Sequence, residues 1–426
     1  MDTKSELGHE YQPRVIDALL SEALDTAGAV VIEGARACGK TMTAMNAAKS
    51  YALMDDPATG SIAAVAPQSV LEGSQPRLLD EWQLSPQLWN LVRRLVDAAT
   101  TAGLFILTGS AVPADDSTRH TGAGRFLRIR ERTMTWCEKE GSAGEAGVSL
   151  GKLFEGERPR ADLSIGLGYE ALIERILQPG FPALTGMPPH RAKRMLLAYI
   201  DEVAKTDVPR LIDIRHDPAV IRQLIAAVSR NLASETSYTT LAKDVRAVAP
   251  TITAEAVSTY IGLLERLFVV ERQKAWTPEL RSRARLRTSA KLHLADVSLA
   301  GAALGVTPEH LRADPSTAGL LFESAVFHDL AVHASIQGGQ VRHFRDSNGH
   351  EIDAIVTLPD GRWAGVEVKM GGGQAVSGAK SLTAALAQID TSLVGAPAFK
   401  LVVTGTGQTY QLDDGTITCP LHKLRP

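Results

Sequence analysis

Ala29-Val30-Val31-Ile32-Glu33-Gly34-Ala35-Arg36-Ala37-Cys38-Gly39-Lys40-Thr41 runs from a short apolar strand straight into Gly-x-x-x-x-Gly-Lys-Thr. This is a complete Walker A phosphate-binding pattern, and it makes a nucleoside triphosphate the first ligand to expect. Gly34 and Gly39 permit a tight turn whose backbone N–H groups point inward, Lys40 reaches for the β- and γ-phosphates, and the Thr41 hydroxyl suits Mg²⁺. The stretch from Thr41 to Ser50 is rich in Ala and Met and reads as a helix whose positive end faces the phosphates. The expected ATP-binding residues are Gly34, Ala35, Arg36, Ala37, Cys38, Gly39, Lys40, Thr41 and Met42.

Outward from this motif, residues 14–28 show apolar spacings of three and four, which predicts a helix ahead of the strand. Ser61 to Val70 is expected to hold a second strand. Arg77-Leu78-Leu79-Asp80-Glu81 then ends a short apolar run on two acids. After a Walker A, Asp80 suits Mg²⁺ through its water shell and Glu81 suits polarising the attacking water; an ordinary acidic strand end is the plainer reading. Gln87 to Thr100 reads as an amphipathic helix. Gly103-Leu104-Phe105-Ile106-Leu107 is unbroken in the manner of a buried parallel strand. It ends on Thr108-Gly109-Ser110, where a hydroxyl at the carboxyl end of a strand can meet a phosphate or the water. Arg125 stands in a Gly-flanked loop before Phe126 to Arg130. It is either a solvated surface arginine or a finger reaching a neighbouring subunit's nucleotide.

The chain has 426 residues, enough for two or three cores. Apolar residues make up 44 % and charged residues 22 %, a globular balance, and the net charge of −3 leaves nucleic-acid binding to a local patch. Cys38, Cys137 and Cys419 form no metal or disulfide spacing, which fits a reducing compartment. The first residues lack an apolar signal core, and no run approaches the ~20 residues of a membrane span. The expected location is therefore cytoplasmic, with no membrane partner.

From Thr239 onward a short helix, a second helix opened by Thr253 as N-cap, and a strand at Phe268 to Arg272 give a helix-turn-helix with a wing. The second helix has Arg266 as its one base-reading candidate, so packing against protein and contact with DNA both stay open. Arg281, Arg283, Arg285, Arg287 and Lys291 form a basic stretch whose alternating arginines suit phosphate, with a solvated or subunit-facing loop as the alternative. In the last third, Glu323 lies in a helical stretch and Asp353 on a strand after the hairpin turn Asn348-Gly349. Glu367-x-Lys369 lies on the next strand, with both side chains on one face. That is the arrangement of a restriction-endonuclease-like, PD-(D/E)xK core: carboxylates for Mg²⁺ and a lysine for water. A buried salt-bridge set is the alternative.

The sequence resembles prokaryotic AAA-type ATPases that carry a C-terminal DUF4143 domain. The resemblance rests on Tyr11-x-x-Arg14, the Walker A, Leu78-Leu79-Asp80-Glu81, Leu107-Thr108-Gly109-Ser110 and Gly124-Arg125. It continues in Pro179-Gly180-Phe181-Pro182, Lys291 to Asp296, Phe322-Glu323-Ser324, Arg345 with Glu351-Ile352-Asp353, and Val366-Glu367-Val368-Lys369. It implies an α/β fold of three parts: a P-loop AAA-type ATPase domain (1–160), a helical and winged-helix region (161–290) and a restriction-endonuclease-like C-terminal domain (291–426). It implies ATP binding with hydrolysis, Lys40, Glu81, Ser110 and Arg125 as catalytic residues, and Thr41 and Asp80 at the metal. A homo-oligomer with Arg125 given in trans follows from the same resemblance. An ATP-regulated DNA nuclease or remodeller, and a nucleotide switch binding DNA or a protein partner, are the rival readings. Cys38 departs from the family's usual residue, and Gly141 to Glu157 reads as a long mobile insertion.

Overall fold

The structure, a computed structural model, describes residues 11–110, 123–142, 146–164, 166–211, 217–278 and 289–426. The chain divides into two compact units. The first is Met1–Met134 with Phe181–Ala183 and Leu264–Val269; the second is Thr135–Gly180, Leu184–Leu263 and Val270–Pro426.

The first unit is a parallel five-stranded sheet. Its strands are β1 (Ala29–Glu33), β2 (Ser50–Leu53), β3 (Arg77–Asp80), β4 (Phe105–Gly109) and β5 (Phe126–Arg130), in the order β2-β3-β4-β1-β5. Helices α1 (Ile16–Thr26), α2 (Lys40–Ala47), α3 (Pro57–Val65), α4 (Pro67–Val70) and α5 (Gln87–Ala98) alternate with the strands. Period-two side-chain direction sorts β1 between two cores. Val30 and Ile32 pack with Ile16, Leu20, Ala44 and Met45 of α1 and α2. Ala29 and Val31 pack with Ala63, Val70, Leu88, Trp89 and Val92 on the other face. Burial on both faces is why β1 and β4 read as continuous apolar runs.

Two expectations are corrected. Ser61 to Val70 holds no strand; it lies in α3 and α4, and the second strand is Ser50–Leu53. Asp56 caps α3 by accepting from the Thr59 amide at 2.9 Å, and Pro57 sits in its first turn, which commits the segment to helix. The segment from Gly141 to Glu157 is not a simple loop. Beyond residues 143–145, which lie outside the described residues, it forms β6 (Val148–Ser149) and a helix Leu150–Phe154 that buries Leu150, Leu153 and Phe154.

The second unit has a helical region and a mixed sheet. Helices Tyr169–Ile176, Pro189–Glu202, Pro218–Arg230 and Tyr238–Val245 precede Ala254–Arg266, where the Ala256 amide donates to the Thr253 hydroxyl at 3.2 Å. β7 (Val270–Gln273) pairs antiparallel with β8 (Lys291–Leu294). The arginines at 281, 283, 285 and 287 lie outside the described residues. The C-terminal sheet contains β9 (Gln340–Arg345), β10 (Glu351–Thr357), β11 (Trp363–Lys369), β12 (Lys400–Thr404), β13 (Tyr410–Gln411) and β14 (Ile417–Pro420), in the order β13-β14-β12-β11-β10-β9. A final short strand, β15 (Leu424–Arg425), pairs with β6. Helices Pro315–Ser335 and Ala375–Leu386 accompany this sheet. Among the described residues no helix is long and apolar enough to cross a membrane.

Candidate functional site

The phosphate loop leaves β1 at Gly34 and enters α2 at Lys40. Both motif glycines are forced by their protein neighbours. A Cβ on Gly34 would stand 2.1 Å from the Glu131 carbonyl oxygen. One on Gly39, whose φ is +123°, would stand 2.7 Å from Arg14 Nη1 and 2.8 Å from Glu131 Oε1. Lys40 is buried, and its Nζ donates to the Ala35 carbonyl at 2.8 Å, closing the loop on itself. Arg36 and Ala37 are exposed at the tip, and Met42 is half-buried on α2. Cys38 is fully buried with its Sγ 3.4 Å from the Glu131 carbonyl oxygen, and burial pushes its thiol pKa up. A small, inert side chain satisfies that position.

β3 brings the acidic pair beside the loop. Thr41 Oγ1 donates to Asp80 Oδ1 at 2.9 Å, and Thr108 Oγ1, from the end of β4, donates to the same oxygen. Asp80 is 5 % exposed; burial raises its pKa, and the two hydroxyl bonds oppose that rise. Glu81 turns sharply away in the left-handed region, with φ +50°. Its amide donates to Thr108 Oγ1 at 3.1 Å, and its Oε2 accepts from Ser110 Oγ at 3.0 Å and from the Gln83 amide. The structure thus gathers Lys40, Thr41, Asp80, Glu81 and Ser110 at the carboxyl ends of adjacent parallel strands, where α/β sheets take ligands.

Arg125 does not join them. The Ala29 amide donates to its carbonyl at 3.3 Å, at the amino end of β1 and β5. With β1 five residues long, the opposite edge of the sheet lies roughly 16 Å away at ~3.3 Å per residue. Its guanidinium is held by Asp97 at 2.6 Å.

Two residues of this site carry no motif. Glu131, directly after β5, is 1 % exposed and accepts from Arg14 Nη1 at 2.8 Å and from Thr43 Oγ1 at 3.0 Å. Arg14 also donates to the carbonyls of Cys38 and Arg132, both at 2.9 Å. It is itself set by Asp17, which accepts from the Arg14 amide at 2.9 Å and from the Tyr11 hydroxyl. Tyr11-x-x-Arg14 is therefore a brace for the phosphate loop, and Glu131 is its hidden partner. Gln83 is the other residue the sequence reading missed.

Residues 26–139 match the family described as "AAA domain". Residues 318–424 match "Domain of unknown function (DUF4143)", and residues 169–310 match "Domain of unknown function (DUF8612)". An N-terminal AAA-type P-loop domain and a C-terminal DUF4143 domain are present. Among solved structures, the chain is similar to the Walker-type ATPase PABY2304 of Pyrococcus abyssi. The identity is 14 % and the TM-score 0.38, over 71 % of this chain and 98 % of that one. No curated protein matches the chain by sequence.

Within and around the DUF4143 domain, the four residues singled out from sequence sit in a shared cluster of charge. Lys369 Nζ donates to Glu367 Oε1 at 2.7 Å, and the Val368 amide donates to Asp353 Oδ2 at 2.7 Å. Glu323 is engaged by Lys291, whose Nζ lies 2.7 Å from Glu323 and 2.6 Å from Glu351. From the sequence Lys291 reads as the end of a basic stretch and Glu351 as the start of a strand, and neither is assigned to this cluster. Burial, then the neighbouring Asp353, pushes Glu323 up to about 8 and Glu367 up to about 7. Burial also raises Asp353, against the pull of Lys291. Gly378 lets the helix Ala375–Leu386 close over this strand face: a Cβ there would meet Lys369 Cγ at 3.1 Å and Val402 Cγ1 at 3.2 Å. Among the described residues no three His, Cys, Asp or Glu side chains are arranged to hold a metal ion.

Proposed function

We propose that this chain binds ATP with Mg²⁺ and hydrolyses it to ADP and phosphate at the carboxyl edge of the parallel sheet. The observation that carries the reading is the 2.9 Å bond from Thr41 Oγ1 to Asp80 Oδ1, which puts the Walker A hydroxyl and the acidic strand end at one point. Their all-oxygen donor set fits Mg²⁺, which when bound neutralises charge on the phosphates. Lys40 exchanges its bond to the Ala35 carbonyl for phosphate oxygens. Glu81 orients the attacking water and takes its proton, while Ser110 and Gln83 fix the direction of its carboxylate.

Hydrolysis here would act on an effector through the rest of the chain, as a motor or switch. Arg125, at the far edge of its own sheet, serves a site only if given in trans, so full turnover belongs to an oligomer. Mixing Arg125→Ala subunits with Glu81→Gln subunits restores activity if the site is shared; no restoration under proven co-assembly removes the finger. The core reading is tested by Glu81→Gln, which is expected to lower kcat by roughly 10²- to 10⁴-fold while ATP still binds. Unchanged turnover in that variant, or in Lys40→Ala, overturns it.

A further inference from the structure

A polar pocket lies in the C-terminal sheet beside the strand that carries Glu367 and Lys369, for Thr404 in its wall is the register partner of Lys369. It has a volume of about 300 Å³ and is lined by Gly372, Gly373, Thr404, Thr406, Tyr410 and Thr418 among others, with no acidic or basic side chain. One wall is the glycine turn that leads into the helix Ala375–Leu386, whose first turn carries no acid. The N-terminal end of such a helix favours negative charge. The opposite wall is the end of β12.

Thr404 supplies the independent observation. It is 1 % exposed, and its Oγ1 has no hydrogen-bond partner among the described residues. Its backbone is paired within the sheet, against Lys369 on β11 and Pro420 on β14. Its side chain shares a face with Val402, which packs against Ala375 and Ala379 of the helix. The hydroxyl therefore points toward the helix start. Buried hydroxyls in native proteins are nearly always bonded, so this one, beside a polar pocket, is available to an acceptor that enters the pocket.

The surrounding hydroxyls fit the same chemistry. Thr406 Oγ1 accepts from the Gly372 amide at 3.2 Å, which leaves its O–H to donate into the pocket. Thr418 Oγ1 is turned to the Gln408 carbonyl at 3.0 Å and shapes the wall. The floor is a close backbone crossing: a Cβ on Gly372 would stand 2.7 Å from Gly407 Cα, and one on Gly407 would stand 2.8 Å from Gly372 Cα. Glycine is required at both positions by that crossing, which fixes the loops that carry Thr404 and Thr406.

We propose that this pocket is a phosphate-binding site of the DUF4143 domain, with Thr404 and Thr406 donating to phosphate oxygens at the start of the helix Ala375–Leu386. The phosphate is that of a free phosphoester or of a nucleic-acid strand. The test uses the full chain with ¹³C-methyl-labelled threonine, titrated at constant ionic strength with inorganic phosphate and, separately, with a short oligothymidylate. Saturable shifts of the Thr404 and Thr406 methyl signals are expected with at least one probe. Saturation by phosphate with no tighter response to the oligonucleotide identifies a free phosphoester; tighter saturation by the oligonucleotide identifies a nucleic-acid backbone. Thr404→Val, read at Thr406, is expected to weaken binding at least tenfold, and Thr404→Ser to keep it. No saturable shift with either probe, or equal affinity in Thr404→Val and the natural chain, overturns the proposal. Thr43 and Thr41 signals report separately on the Walker A loop, so failure here is distinguishable from failure of ATP binding.

Discussion

Arg14 Nη1 and Glu131 Oε1 meet at 2.8 Å with their side chains 5 % and 0 % exposed, joining the residues ahead of the first strand to those behind the fifth. A buried ion pair of this kind adds little net stability over an apolar pair, but losing one partner strands the other. Arg14→Ala would leave Glu131 charged in the interior and the Cys38 carbonyl without its donor. The expected loss is about 3–5 kcal/mol in chemical denaturation, together with weakened ATP binding. A change below about 1 kcal/mol would show that the pair does not brace the loop.

The glycines separate by what their Cβ would meet. Gly34→Ala drives a methyl to 2.1 Å from the Glu131 carbonyl oxygen, so nucleotide binding is expected to vanish even where the chain stays folded. Gly60, within α3, meets only the Met54 carbonyl oxygen, at 3.4 Å. Gly60→Ala is expected to stabilise by about 0.5–1 kcal/mol, because alanine is the better helix former. Calorimetry with ATP and a denaturation curve on both variants check the contrast.

Glu81 is held in direction by two side chains from different segments, Ser110 and Gln83. Gln83→Leu keeps the size and removes the amide. Turnover is expected to fall about 10- to 100-fold with the Kd for ATP little changed, the pattern of a misdirected catalytic group. Equal losses in kcat and affinity would instead assign Gln83 to the architecture of the loop.

Stability should show two opposed slopes with pH. Glu323 and Glu367 are raised by burial from 4.5 to about 8 and about 7, so the folded state holds protons that the unfolded chain has released. Their contribution is present below pH 4.5 and lost as pH climbs through 7 to 8. His293, His333 and His343 are lowered by burial from 6.5 to about 3, about 4 and about 4, so their contribution is present above pH 6.5 and lost as pH falls toward 4. Melting temperature measured from pH 5 to 9 is expected to peak in between. Glu323→Gln should flatten the alkaline limb and leave the acid limb alone; an unchanged alkaline limb would show that Glu323 does not hold the extra proton.

The residues proposed for the nucleotide were readable where they are contiguous or end a strand. Gly34 to Thr41 and the Asp80-Glu81 pair each carry their geometry in local spacing, and Ser110 follows an apolar run. Glu131 was not readable, because its meaning comes from Arg14, 117 residues away, and from a loop glycine with no room for a Cβ. The segment Ser61 to Val70 is helical although its small apolar residues suit strand and helix alike, because the capping signal Asp56-Pro57 upstream of it starts a helix. The glycines and serines after Gly141 concealed Leu150, Leu153 and Phe154, whose helical spacing buries them. In the last third, the charges were found but not their pairing: Lys291 engages Glu323 and Glu351 from a strand far away in the chain.

Because Arg14 and Glu131 flank the whole parallel sheet in sequence, the brace also sets an order of events during translation. At about 5–20 residues per second, the Walker A loop leaves the ribosome well before Glu131 has been made. The nascent loop therefore has its glycines, Lys40 and the Arg14 donor to the Cys38 carbonyl but lacks the Glu131 carboxylate, and ATP offered to a ribosome-bound chain ending at residue 120 is expected to be held more weakly than by the folded chain. On the proposed reading, capture of the nucleotide would follow the threading of the fifth strand, and Glu131, late in this stretch, would set when the first motif begins to work.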